Sequence, residues 1–350
     1  MTTRSITTRC VARWVGCLVI AAALALAHPA TASAQKAPAQ LDPVRIEVQA
    51  KPLLGFLPRD AQQRRFGALE FRGGLELTSP HREFGGLSAI RVAADGANFI
   101  ALSDNGHWLR GRILYRDNVP VGIADAEIAP MLAADGRTLV SQRWADTESI
   151  AEDGSMLYVG IERRHQILRF DYGKDGLLAR GQPLPQPAGL RKLPWNKGLE
   201  CLVAVPKGLR LAGTLIGISE RGLDANGNIQ AFLIGGESPG ELSVKRSDDY
   251  DVTDCAVTPD GGLVILERHF SLRRGAAMRM RRIALSAVVP GALLEGPVLI
   301  EADFGYQIDN MEGLSINRDA RGDLVFTLVS DDNFAAIQRT VLLQFTLAAR

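Results

Sequence analysis

Three features of the 350-residue sequence predict an all-β fold. Short runs rich in β-branched and apolar residues recur along it (FIALSD, MLYVGIE, LIGISE, LVILER, LVFTLVSD), each preceded by turn residues. Long stretches of helical periodicity are scarce. A four-residue frame of acid, small, apolar, small returns every 52 to 63 residues, which is the scale of a repeated sheet unit.

Taken in chain order, residues 1–34 read as a secretory leader. Arg4, Arg9 and Arg13 precede an apolar run over 14–27, and Ala32 and Ala34 supply small residues before a cut after Ala34. That run is too short to span a bilayer comfortably, so no membrane span is expected after cleavage, and a periplasmic or secreted location follows. Cys10 and Cys17 leave with the leader. Residues 35–65 form an N-terminal extension with a first strand, and 66–350 the main domain. The net charge is +1, with three of the arginines in the leader. That balance lacks the basic excess a nucleic-acid partner requires.

The frames are Glu148-Ser149-Ile150-Ala151, Glu200-Cys201-Leu202-Val203, Asp254-Cys255-Ala256-Val257 and Glu312-Gly313-Leu314-Ser315. Gly85-Gly86-Leu87-Ser88 repeats the pattern with glycine in place of the acid. A turn follows each (Asp95-Gly96, Asp153-Gly154, Lys207-Gly208, Asp260-Gly261, Arg321-Gly322). A second apolar run then ends on Asp104, Glu162, Glu220, Glu267 or Asp331. Repeated strand–turn–strand units of this length match the blades of a β-propeller. The chain length predicts six, with a sixth built jointly from residues near 43–80 and the last strand, 341–347. Pairing of the N- and C-terminal strands would close the ring and remove open sheet edges.

In an antiparallel hairpin the start of one strand lies beside the end of the next. Both acids of each unit are therefore expected at one mouth of the central channel, forming a ring of Asp104, Glu148, Glu162, Glu200, Glu220, Asp254, Glu267, Glu312 and Asp331. Clustered carboxylates need neutralising. Arg163, Arg221 and Arg268, each following an acid, supply some positive charge. The remaining acids suit a hard cation with six to eight oxygen ligands, such as calcium. Asp104, Glu148, Glu200, Asp254, Glu312 and Asp331 are the expected ligands. Glu267, His269 and Glu200 are the candidate catalytic groups; Arg163, Arg221, Arg268 and His165 would hold an anionic substrate. His107 shares the placement of the other two histidines. Such acids also serve simply to pair with arginines and hold blades together.

Gly236-Glu237-Ser238-Pro239-Gly240 matches the nucleophile-elbow pattern, but Pro239 has no N–H to lend to an oxyanion hole. No HExxH, Walker loop or paired CxxC occurs. Cys201 and Cys255 take the same frame position in successive repeats. They can form a disulfide or act as small buried residues between blades.

The segments Asn196-Lys197-Gly198-Leu199-Glu200, Val252-Thr253-Asp254, Leu266-Glu267-Arg268 and Asp309-Asn310-Met311-Glu312-Gly313-Leu314 resemble the phytase-like domain family, described as having esterase-like activity of phytase. The resemblance runs from about Phe66 to the C-terminus. It implies a β-propeller, a secreted or periplasmic location, and phosphoesterase or esterase activity. Calcium, as used by β-propeller phytases, carries over to the matching acidic positions. The DDPA segment of those phytases is missing; Asp104-Asn105-Gly106 is a loose acidic counterpart, so phytate is not implied as substrate. The expected function is a metal-dependent hydrolase of small anionic esters, acting as a monomer. The alternatives are a non-catalytic propeller that binds a ligand or partner, or a lactonase-like propeller hydrolase.

Overall fold

A computed structural model describes residues 41–273 and 275–348; the leader expected at 1–34 lies outside them. Five sheets, antiparallel except where the short strands Leu132–Ala133 and Leu293–Leu294 add in parallel at an edge, follow one another along the chain. Blade 1 contains Leu87–Val92, Asn98–Ser103, His107–Arg116 and Val119–Pro130, with Val44–Arg45 at its outer edge. Blade 2 contains Thr147–Asp153, Met156–Ile161, Gln166–Asp171 and Arg180–Pro183, with Leu132–Ala133 at its outer edge. Blade 3 contains Leu199–Ala204, Thr214–Leu223, Ile229–Gly235 and Gly240–Val244. Blade 4 contains Asp251–Val257, Gly262–Ser271, Gly275–Ala284 and Val298–Asp303. In blade 5, Asn310–Arg318, Leu324–Asp331 and Thr340–Leu347 are joined by Leu69–Thr78 and Gln49–Pro52.

The propeller thus has five blades, not six. Thr340–Leu347 pairs with Leu324–Asp331 as the third strand of the fifth repeat, so it is not available to begin another blade. Leu69–Thr78 pairs with its far edge. The two chain ends do close the ring, but by completing blade 5.

The first strand of each blade lines the axis, and a side chain crosses every joint between neighbours. Ser88 donates to the Thr147 carbonyl (2.6 Å), Ser149 to that of Leu199 (2.8 Å) and Thr253 to that of Met311 (3.0 Å). Ser315 accepts from the Val92 amide (2.8 Å), closing the circle. At the remaining joint, Cys201 and Cys255 form a disulfide. Apolar clusters fill each gap between adjacent sheets. Trp108 and Phe170 meet edge-on between blades 1 and 2, and Phe326, Phe345 and Met278 pack between blades 5 and 4. Sheets that bury both faces this way read as nearly continuous apolar runs. Among the described residues, no helix is long and apolar enough to cross a membrane.

Candidate functional site

Register decides which side chains face the mouth. Each first strand carries a bulge, one extra residue against its partner. The skipped positions are Ser88, Glu148, Glu200, Thr253 and Glu312. On the second strands, the residues one step beyond the partner of the preceding first-strand residue are Asp104, Glu162, Glu220, Arg268 and Asp331.

Blades 2, 3 and 5 therefore deliver both acids as expected. In blade 1 the equivalent of Glu148 is Ser88, three residues after the glycine in the sequence frame. In blade 4 the frame is off by one: Thr253 and Arg268 take the mouth positions. A one-residue slip turns side chains to the other face of a strand, and Asp254 and Glu267 are turned accordingly.

The consequences for those two acids are specific. Glu267 is fully buried in its own blade, held by Arg279 (2.9 Å) and Arg281 (2.6 Å) from the next strand. It does not join the other acids at the mouth. Asp254, also fully buried, is gripped at both oxygens by Arg91 (2.9 and 3.0 Å) and accepts the Leu314 amide (2.7 Å). Arg91 reaches from blade 1 across the axis. It also donates to the carbonyls of Leu314 (2.8 Å) and Leu202 (3.0 Å), so one guanidinium ties together strands of blades 1, 3, 4 and 5. Asp254 is therefore an ion-pair partner in the axis rather than part of the acid cluster.

At the mouth, carboxylate oxygens of Asp146, Glu148 and Glu162 lie within 4.8 Å of one another, as do those of Glu162, Glu200 and Glu220. Glu162 belongs to both groups. Asp104, Glu312 and Asp331 complete the cluster. Burial pushes Glu148 and Glu200 well above the usual carboxylate range, and the carboxylates around them add to the effect. Glu312 is raised to about 8, mainly by burial, although Arg268 opposes the shift. Burial, reinforced by neighbouring acids, raises Glu162 and Asp104 to about 7. Asp331 rises to about 6, again chiefly through burial.

Few cations offset this charge. Arg268 bridges Glu312 (2.9 Å) and Glu220 (3.2 Å), while also donating to Asn310 (2.6 Å). Lys197 pairs with Glu220. Arg163 sits against Asp146 (3.1 Å) and Asn196 (2.9 Å), and Arg221 is engaged by Asp251. Two carboxylate oxygens, Asp104 Oδ1 and Glu312 Oε2, are buried without a hydrogen-bond partner. Buried acceptors normally have one. An all-oxygen donor set with excess negative charge and orphaned acceptors fits a hard divalent cation.

The histidines differ in placement. His269 follows Arg268, with its ring nitrogens 3.2 Å from the Asp249 carbonyl and from the Ser271 hydroxyl. His165 ends a short turn after Glu162, in the left-handed conformation (φ 48°), and its Nδ1 is buried without a partner. His107 meets Asn105 (2.8 Å). Sequence reasoning missed Asp146, Lys197 and Arg91 as contributors. An arginine inside the buried strand Leu87–Val92 was the available signal for the last of these.

Residues 82–334 match the family described as phytase-like, esterase-like activity of phytase. With most of the propeller matched, the chain belongs to that family. No curated protein matches the sequence. Among solved structures, it is similar to an α-L-arabinanase of Cellvibrio cellulosa complexed with arabinohexaose (11% identity, 74% of this chain and 91% of that chain, TM-score 0.42). It is also similar to a gluconolactonase of Xanthomonas campestris (12% identity, 88% and 98%, TM-score 0.39). A third is the WD40 domain of Pan2 from Neurospora crassa (10% identity, 83% and 98%, TM-score 0.40).

Proposed function

We propose that the protein is a periplasmic or secreted hydrolase of phosphoric or carboxylic esters that works at the acidic mouth with a bound calcium ion. The observation that carries this reading is the pair of carboxylate triads sharing Glu162, beside a single embedded guanidinium. Family membership supports ester hydrolysis, and the disulfide is in keeping with an oxidising compartment after removal of residues 1–34.

Asp146, Glu148, Glu162, Glu200 and Glu220 would hold the cation, flanked by Asp104 and Asp331. When bound, calcium supplies Lewis-acid polarisation of the ester oxygen. Arg268, whose Nη1 is held by Asn310 and Glu312 and whose Nη2 reaches Glu220, offers its remaining Nη2 N–H to the anionic part of the substrate, with Arg163 and His165 at the edge of the same mouth. Glu312, whose Oε2 has no hydrogen-bond partner and whose Oε1 pairs with Arg268, is the group assigned to carry a proton for the leaving oxygen. It donates that proton to the leaving oxygen as water adds and the ester bond breaks; the proton lost by water passes to a mouth carboxylate. Glu267 and His269 have no part in this scheme, because Glu267 is saturated by arginines and His269 faces the Asp249 backbone.

Hydrolysis of generic phosphate and acyl esters, with and without calcium, tests the proposal. The wild-type protein should show calcium-dependent turnover. Glu200→Gln should abolish it, and Glu312→Gln should lower kcat by roughly 10²–10⁴-fold. Equal turnover in Glu200→Gln and wild type would defeat the assignment.

A further inference from the structure

The exposed large apolar side chains are unevenly distributed. Leu54 (88%) aside, the most exposed are Trp195 (72%), Phe270 (71%), Leu272 (99%), Phe304 (71%) and Ile337 (93%). These five lie at or beyond the ends of second strands, or in loops that precede first strands. Both places are at the mouth end. Opposite them, the hairpins joining first to second strands have polar tips such as Asp95-Gly96, Asp153-Gly154 and Asp260-Gly261. They carry none of the exposed large apolar residues, and the outer hairpins at that end carry only less exposed ones, Val119 (41%), Leu178 (40%), Val298 (48%) and Leu293 (53%). Exposed apolar groups gathered around a polar site mark a binding surface.

Phe334 and Trp195 adjoin groups of the acidic mouth. Phe334, half-exposed, lies over Gly86 beside Asp104: a Cβ on that glycine would run into both the carboxylate and the ring. Trp195 immediately precedes Asn196, the partner of Arg163, and stands two residues from Lys197, the partner of Glu220. In blade 4, Gly262–Ser271 stays paired with Gly275–Ala284 beyond Arg268, so Phe270 and Leu272 project past the mouth. At about 3.3 Å per residue, Leu272 stands on the order of 10 Å above Arg268.

We propose that this rim receives the apolar portion of the substrate, so that the preferred substrates are amphiphilic phosphate esters. The phosphate sits at Arg268 and the cation, and an alkyl or aryl group lies across Trp195, Phe334 and the blade 4 hairpin. This rests on the ester-hydrolase reading of the same mouth. Charge complementarity selects the occupant: an anionic head meets the cation and Arg268, and only an attached apolar group meets the rim. Hydrolysis is balanced by water, which supplies OH to phosphorus and H to the departing alcohol.

The test uses monoalkyl phosphates from methyl to octyl, with calcium present. Phosphate release and calorimetric binding are measured in parallel, so a protein without turnover still reports on the rim. Wild type should show KM, or Kd where turnover is lacking, falling by roughly two- to fourfold per added methylene. Trp195→Ser and the double variant Phe270→Ser/Leu272→Ser should flatten that trend while leaving methyl phosphate unaffected. Equal affinity for methyl and octyl phosphate would overturn the proposal, as would an undiminished trend in both variants. Rim-dependent binding to phosphatidylserine vesicles without chain-length preference would also overturn it, by making the rim a membrane contact. Binding that strengthens with chain length but never leads to turnover would support the rim and count against hydrolysis alone.

Discussion

Arg91→Ala should destabilise the protein by about 3–5 kcal/mol, the range for removing one partner of a buried ion pair. Asp254 is fully buried and already raised by burial, with Arg91 holding it back toward its ionised form. Without the guanidinium, a carboxylate in the axis loses both of its charge-assisted hydrogen bonds. The carbonyls of Leu202 and Leu314 also lose a donor each. The blades would then have to adjust around an unsatisfied acid. Denaturant unfolding monitored by tryptophan fluorescence measures the effect. A loss below about 1 kcal/mol would show that Arg91 does not tie the blades together across the axis. Pairing Arg91→Met with Asp254→Leu should recover much of the loss, because replacing both members of a buried pair with apolar residues is often nearly neutral.

Without divalent cation, stability should fall as pH rises from about 4.5 to 8. Glu162 and Asp104 are raised to about 7, and Glu312 to about 8. Folded-state values above the unfolded ones mean that the folded protein binds more protons through this window. Its stability relative to the unfolded chain therefore declines with pH. Each tenfold gain in a carboxylate's proton affinity on folding is worth about 1.4 kcal/mol, so the decline should be on the order of 3 kcal/mol or more. Excess calcium should shrink it by taking the place of the protons on Glu162 and Asp104. Thermal unfolding across pH, in chelator and in calcium, checks this. A chelated protein whose melting temperature rises steadily from pH 5 to 8 would contradict the electrostatics of the mouth.

The hairpin repeat and the convergence of its acids were legible because short β-branched and apolar runs, glycine turns and terminal carboxylates are all local signals. Blade number was less legible. Leu69–Thr78 pairs with Thr340–Leu347 at the opposite end of the chain, and nothing local shows that it joins the fifth repeat. Blade 4 misled for a different reason. In Asp251–Val257 every residue is buried, so apolar alternation cannot reveal which side chains face the mouth, and the bulge that shifts Asp254 away from it leaves no compositional mark. Arg91 and Asp254 are 163 residues apart. Their pairing exists only once the ring has closed, so the acid frame placed Asp254 in the mouth ring. Cys201 and Cys255 lie on adjoining axial strands with Cα atoms 5.2 Å apart, within disulfide reach. Sequence spacing alone left that distance open.

Calorimetric titration of the chelator-treated protein with calcium at pH 7 is the most direct measurement of whether the converging carboxylates form a cation site. Wild type should bind calcium with release of protons, seen as heats that change with the ionisation enthalpy of the buffer, and Glu162→Gln should lose that binding because it removes the carboxylate common to both triads. Absence of binding in wild type, or the same affinity and proton release in Glu162→Gln, would contradict a cation centre at the mouth of this propeller.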